Sequence, residues 1–380
     1  MAVPEESAPA GDAARRDVRL LVSGNAVSTL GNAVYLIAVT LLLKSLTESA
    51  FVLGLFQFVA LAPAFLLSPV AGALVDRTPR RAVIVLSDLA RGVLMIGAGA
   101  GLLVPALRTP FFVLAVSFLA GIGNAVFVPA ALALLPSLVP AQRLHTATGL
   151  RAATSQTANL VGNALGGALF VALGAPLLFI FNGITFVLSA IQERLISQAG
   201  IPRSRGHERI LRSARVGLTA VARDRSLRRL VVSQAGLYVI SPVLLLSLPF
   251  LVIDDLGLSE QFVGLFFALA LAGGIAAFVA LRSADSHKLV SMPVVGVAYA
   301  GIAVSFLALS FSTTIPVLVV VALVLGAAAA MTYLFTTTWI QIRTPAEMHG
   351  RLFALIEAAT ALVAPVSYLL AGILLETLGP

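Results

Sequence analysis

The chain has 380 residues, 59% of them hydrophobic and 11% charged, and a formal net charge of +8. A soluble domain keeps roughly 25% charged residues, so this composition excludes one and describes a protein that crosses a membrane many times. Cysteine is absent, which rules out a disulfide framework, thiolate metal sites and a cysteine nucleophile, and His145, His207, His287 and His349 are too scattered to suggest a metal cluster.

In chain order, residues 1–17 carry Pro4, Pro9, Gly11 and mixed charge with no apolar core, which predicts a disordered cytoplasmic tail rather than a signal peptide. From Leu20 onward the sequence alternates apolar runs with short polar connectors. The runs are roughly 20 to 27 residues long, each enough to cross about 30 Å of hydrocarbon at about 1.5 Å per residue. Helical spans are predicted at 20–43, 51–75, 82–104, 110–135, 147–173, 176–197, 229–253, 260–282, 289–311, 315–341 and 352–375. The expected fold class is therefore an all-α polytopic membrane protein with eleven transmembrane helices.

Basic residues fall in alternate connectors. With the amino terminus inside, the cytoplasmic connectors hold Arg77, Arg80, Arg81, Arg143, the arginines from Arg194 to Arg229, Arg282, Lys288, Arg343 and Arg351. The outer connectors hold only Lys44 and Arg108, beside Glu48, Asp254, Asp255 and Glu260. This is the positive-inside pattern, not a nucleic-acid footprint, so nucleic acid is excluded as a partner and the carboxyl terminus is expected outside.

The longest connector, 198–228, divides an amino-terminal bundle (18–197) from a carboxyl-terminal one (229–380). Within it Ile210, Leu211, Leu218 and Val221 lie among arginines, which fits a basic amphipathic helix on anionic inner-leaflet lipids and equally a solvated linker helix. An internal repeat supports the division. Pro140-Ala141-Gln142 leads to Arg151-Ala152-Ala153-Thr154 and Gly166, while Pro345-Ala346-Glu347 leads to Glu357-Ala358-Ala359-Thr360 and Gly372. The fifth and eleventh spans are thus equivalents, and parallel halves are a signature of secondary transporters.

The connector Gly72-Ala73-Leu74-Val75-Asp76-Arg77-Thr78-Pro79-Arg80-Arg81 concentrates charge between two apolar spans. It resembles the Gly-x-Leu-x-Asp-Arg-x-x-Arg-Arg signature that the major facilitator superfamily carries between its second and third helices. Ser87-Asp88-Leu89-Ala90-Arg91, Leu135-Pro136-Ser137-Leu138-Val139-Pro140 and His349-Gly350-Arg351-Leu352-Phe353 are similar to stretches of its bacterial exporters related to enterobactin and macrolide efflux proteins. The resemblance implies a major facilitator fold of two pseudo-symmetric bundles, with a monomer in the cell membrane. It also implies export of small lipophilic or mildly polar organic compounds by alternating access, coupled to protons, with anionic lipids as further partners. Uptake or lipid flipping is the alternative within transport.

Two features depart from the family pattern. Gly162-Asn163-Ala164-Leu165-Gly166-Gly167 is similar to the antiporter motif Gly-Pro-x-x-Gly-Gly, with Asn163 in place of the helix-bending proline. The chain stops at Pro380, just after the eleventh span, so the family's twelfth helix is expected to be missing. A non-transporting membrane scaffold or sensor is the reading this second departure keeps open.

By the resemblance, Gly72, Asp76, Arg77, Arg80 and Arg81 form a gating motif. Its Asp76 would meet the start of the eleventh helix near Arg351, where unpaired backbone N–H groups favour a carboxylate; a structural staple is the plain alternative. Arg77, Arg80 and Arg81 are expected to meet lipid headgroups rather than substrate.

Asp88, Arg91, Arg151 and Glu357 are ionisable residues inside apolar spans, where charge is costly enough to suggest a function. Asp88 and Arg91, three apart on a helix, are expected to pair. Arg151 and Glu357 occupy equivalent repeat positions, and Glu357 is the first candidate to carry a coupling proton, Asp88 the second; pairing across the seam between the halves is the alternative for Glu357. The resemblance places the first, fourth, seventh and tenth helices around the cavity, which makes Asn25, Asn32, Tyr35, Asn124, Gln234, Tyr238, Tyr333 and Trp339 substrate candidates. That set is neutral and suits an uncharged organic compound, although each residue could instead bond to a helix backbone. No phosphate-binding loop or nucleophile elbow points to an enzyme, and no cofactor is implied.

Overall fold

The computed structural model describes residues 11–197, 221, 223–281, 292–311, 314–344 and 346–379. Among them the chain forms helices and connectors without a strand: α1 (Gly11–Thr47), α2 (Ala50–Leu66), α3 (Ser68–Arg77), α4 (Arg80–Gly101), α5 (Pro110–Leu138), α6 (Ala141–Arg194), α7 (Arg225–Phe250), α8 (Gln261–Leu281), α9 (Met292–Phe311), α10 (Ile315–Arg343) and α11 (Ala346–Leu378). Seven of these helices are long and apolar enough to cross a membrane, and shorter apolar helices at Ala50–Leu66, Gly296–Phe311 and Leu362–Leu378 occupy other predicted spans. Large apolar side chains such as Phe111 and Phe311 are exposed, as lipid-facing residues are.

Local geometry follows sequence signals. Thr109 caps α5 by accepting from the Phe112 N–H at 3.3 Å, and Asp224 caps α7 by accepting from the N–H groups of Ser226 and Leu227 at 2.7 and 3.2 Å. The second predicted span divides at Leu67 into α2 and α3, with a proline in the first turn of α3. The fifth and sixth spans run together as α6, bent at Gly174, whose φ of 75° is a left-handed conformation that glycine adopts without a Cβ clash. A π-turn, Leu251–Asp255, ends the seventh.

Residues 11–17, expected in the tail, are instead the first turns of α1. Ala14, Val18, Leu21 and Val22 continue the buried face of that helix, and the buried Asp17 carboxylate accepts from the Ser197 N–H at 3.1 Å. Residues 1–10 and the predicted linker helix at 198–220 lie outside the described residues.

The chain packs as two compact units. The first comprises Met1–Leu46 and Val59–Ser204, the second Thr47–Phe58 and Arg205–Pro380. In the first, α4 lies against the second arm of α6 and against α5. A Cβ added to Gly183 of α6 would stand 2.8 Å from the Gly92 carbonyl oxygen of α4, so the close crossing requires small residues. Gly162 and Gly166, from the antiporter-like stretch, receive Ala33 and Ile37 of α1 in the same way.

In the second unit α10 packs between α8 and α9, and α11 packs on α7. A Cβ on Gly326 of α10 would meet the Ala270 carbonyl oxygen of α8 at 1.7 Å. The opening of α2 belongs here because Gly54 faces Gly372 of α11, and the Glu376 carboxylate accepts from the Ser49 hydroxyl at 3.1 Å and the Phe51 N–H at 3.2 Å.

Candidate functional site

The connector from Gly72 to Arg81 shapes one end of the first unit. Arg80 donates through Nη1 to the Ala133 carbonyl near the end of α5 at 2.8 Å, and Arg81 donates to the Ile196 carbonyl just past α6 at 2.6 Å. The Ile196 carbonyl lies just past a helix end, where intrahelical donors run out and a cation is favoured, whereas the Ala133 carbonyl lies within the last two turns of α5 and takes Arg80 as an additional donor. These two arginines therefore fasten α4 to its neighbours, whereas Arg77 is exposed. Gly72 has no described atom within 4 Å of where its Cβ would be. The side chains of Asp76, Arg351 and Glu357 lie outside the described part of the structure.

Deeper in the same unit the chain buries a cluster of charges. Asp88 and Arg91 form the expected ion pair along one face of α4. The Arg91 guanidinium lies between two aromatic rings, 4.6 Å from the centroid of Phe127 on α5 and 4.3 Å from that of Phe186 on α6. Such stacking satisfies a cation while keeping water out. Arg91 also donates to Asn124 Oδ1 and to the Ser87 carbonyl, both at 3.4 Å. Gly123 makes room for it: a Cβ there would be 2.7 Å from Arg91 Cγ.

The cluster has a third member that the sequence reading passed over. Glu193, near the end of α6, is fully buried and lies within electrostatic range of both Asp88 and Arg91. The Ser189 hydroxyl one turn earlier donates to Glu193 Oε1 at 3.5 Å and also interacts with Asp88, so it stands between the two carboxylates. Glu193 Oε2 and Asp88 Oδ2 are buried without a hydrogen-bond partner. In the sequence Glu193 sits beside Arg194 at the start of an arginine-rich connector, so it reads as part of a solvated charge run. Its i, i+4 relation to Ser189 on the α4-facing side was the available signal.

The expected cavity residues separate into groups. Asn25 of α1 accepts from Ser155 of α6 at 2.6 Å. Beside this bond a groove of about 490 Å³ is lined by Val27, Leu30, Ala153, Thr154, Thr157, Ala158 and Val161. Both threonine hydroxyls donate to carbonyls of their own helix, which leaves the groove apolar. Asn32 is half-buried, Asn124 is the exposed neighbour of Arg91, and Arg151 is half-buried in α6. Tyr35 turns inward, sharing a hydrogen bond of 3.0 Å with Ser117 and an edge-to-face contact with Phe179.

In the second unit Gln234 donates to Thr336 Oγ1 at 2.6 Å, Tyr238 and Tyr333 are exposed, and Trp339 is buried with Leu227, Leu230, Phe335, Ile340 and Leu352. Tyr35 and Trp339 thus sit in the interiors of their units, because a large ring gains more from burial than its single polar atom loses once bonded or at the edge.

Apolar-faced helices in two units, with polar side chains buried inside each, define a polytopic membrane protein of the helical-bundle class. The family model described as Major Facilitator Superfamily matches residues 21–378, and the chain belongs to that superfamily. It is therefore a multi-pass membrane transporter, and transporters of this superfamily act on small molecules.

Among relatives, it is 24% identical over 383 residues to the MFS-type transporter YfiS of Bacillus subtilis, covering 96% of this chain and 88% of the relative. Macrolide efflux protein A of Streptococcus pyogenes is 30% identical over 151 residues, 39% of this chain and 36% of that protein. Among solved structures, a bacterial homologue of the human lysosomal transporter Spinster superposes with a TM-score of 0.74 at 13% identity, covering 97% of this chain and 84% of the other. A bacterial homologue of the iron transporter ferroportin gives 0.69 at 19% identity, with 96% and 94% covered. These likenesses establish the fold.

Proposed function

We propose that this protein exports small lipophilic or mildly polar organic compounds from the cytoplasm by alternating access, driven by proton entry. The observation that carries the reading is the apolar groove between α1 and the first arm of α6, lined by apolar side chains and two threonines with no charged residue among its lining residues. Its volume is in the range of small-molecule sites, roughly 300 to 1,000 Å³, and its walls suit an uncharged organic surface. The partial likeness to a macrolide efflux protein supports the outward direction and the substrate class. In this reading the protein is a monomer in the cytoplasmic membrane, and the arginine distribution favours an amino terminus inside. Asp76 and Arg351 then serve as gating residues of the transport cycle, and anionic lipids meet the exposed Arg77.

The test is accumulation of a lipophilic fluorescent dye and of a labelled macrolide in cells expressing the chain, with and without a protonophore. Lower accumulation that vanishes when the proton gradient collapses is the expected result. Raised accumulation would replace export by uptake, and unchanged accumulation of both probes at full membrane abundance would overturn this substrate class.

A further inference from the structure

The groups that the transport reading does not use are the second carboxylate beside Arg91 and the two buried oxygens left without partners. Asp88 and Glu193 are each fully buried, Arg91 is 6% exposed, and the surrounding walls are Phe127 and Phe186. Arg91 pairs with Asp88 and lies within electrostatic range of Glu193, so with all three ionised the cluster carries one negative charge in excess.

No other described group nearby balances it. From α1 the neighbours are uncharged: Gly24 stands over Ser189, and Ser23 donates to Gln192 at 3.0 Å. Of the charged residues nearer the end of the unit, Asp17 is engaged with the Ser197 N–H, Arg80 with Ala133 and Arg81 with Ile196, while Arg19 and Arg194 are exposed. From α5 the cluster receives Asn124, an amide, and the ring of Phe127. An uncompensated charge in such surroundings costs several kcal/mol, and binding one monovalent cation removes it.

The groups already in place favour the smallest cation. Arg91 already occupies the space facing Asp88, and Ser189 has one hydroxyl proton for two carboxylates. One carboxylate oxygen must therefore face either an acceptor or nothing, unless it carries a hydrogen itself. We propose that Asp88, Arg91, Ser189 and Glu193 form a proton-binding site in the first unit, holding one exchangeable proton between the two carboxylates. We assign to it the proton that drives export, a role that rests on the function proposed above. Uptake forms one O–H bond at Glu193 Oε2 or Asp88 Oδ2 from a hydronium ion, and release returns the proton to water; no other bond is made or broken. Arg91 stays charged throughout and pairs with whichever carboxylate is ionised.

Infrared spectroscopy of the purified full chain in nanodiscs tests the site without any substrate. At neutral pH the wild type should show the C=O stretch of a protonated carboxyl group that shifts on deuteration. Glu193→Gln or Asp88→Asn should lose it, and Glu376→Gln, on the exposed cap of α2, should keep it. Thermal unfolding supplies a second readout. Because one carboxylate suffices for Arg91, each single variant should shift Tm by less than about 3 °C, while the double variant strands the guanidinium and should lower Tm by about 10 °C.

An unchanged band in both single variants, or large and additive losses of stability, would overturn the proton site. A band that appears only when sodium is withdrawn would overturn it in favour of a sodium site. Dye export then tests the coupling: Glu193→Gln should lose the dependence on the proton gradient, and retained dependence would overturn the coupling role. If the wild type exports nothing, the export reading fails while the infrared band still decides the site.

Discussion

The two units treat buried polarity differently. Among the described residues, every buried charged side chain belongs to the first unit: Asp17, Lys44, Asp88, Arg91 and Glu193. The buried polar residues of the second unit are hydroxyls, namely Ser305, Thr332, Thr336, Thr360 and Ser367. Small-residue helix crossings are common to both, with Gly183 against Gly92 in the first and Gly326 against Ala270 in the second. Packing is thus the shared inheritance of the two halves, and charge is where they diverge. A hydroxyl satisfies itself on its own helix, as Ser367 does on the Val363 carbonyl at 2.9 Å, and needs no neighbour. A buried charge needs partners from several helices, so it fixes how those helices meet.

The sharpest way to break this contrast is Arg91→Met. It leaves two carboxylates facing each other without a cation, and the first unit should lose about 3 to 5 kcal/mol, read as a collapse of folded yield or Tm in detergent. A loss below about 1 kcal/mol would show that the charges are dispensable and that the units differ only in sequence.

Packing variants should hit both units alike. Gly183→Val and Gly326→Val each force a side chain against a backbone carbonyl, and each should cost about 1 to 3 kcal/mol in thermal unfolding. A large effect in one unit alone would mean that close crossing is not the common element.

Polar variants sharpen the comparison at smaller scale. Arg81→Gln removes a charged donor from the Ile196 carbonyl and should cost about 1 to 2 kcal/mol, whereas Arg77→Gln, at an exposed side chain, should leave unfolding unchanged. Thr336→Val in the second unit strands only the Gln234 amide, for about 1 kcal/mol. If that variant proved as damaging as Arg91→Met, the neutral network of the second unit would be its equal.

Several of these features were legible beforehand. Asp88 and Arg91 could be paired from the sequence because an i, i+3 relation is a property of one helix. Glu193 could not, since its partner lies on α4 and its own neighbour Arg194 makes it look solvated. Arg80 and Arg81 looked like headgroup ligands, and only the folded chain shows which backbone carbonyls of α5 and of the segment after α6 they reach.

The sequence by itself determined that the chain spans a membrane, roughly where each span lies, and which superfamily signature it carries, because hydrophobic length, basic connectors and the Gly72–Arg81 motif are local features. Tertiary structure alone decided that α1 begins at Gly11, that Tyr35 and Trp339 face interiors, and that the opening of α2 belongs with α11. The reason is physical. Apolar length is written along one helix, but the burial of a charge or a ring depends on what residues far away in the chain bring to within a few ångströms of it.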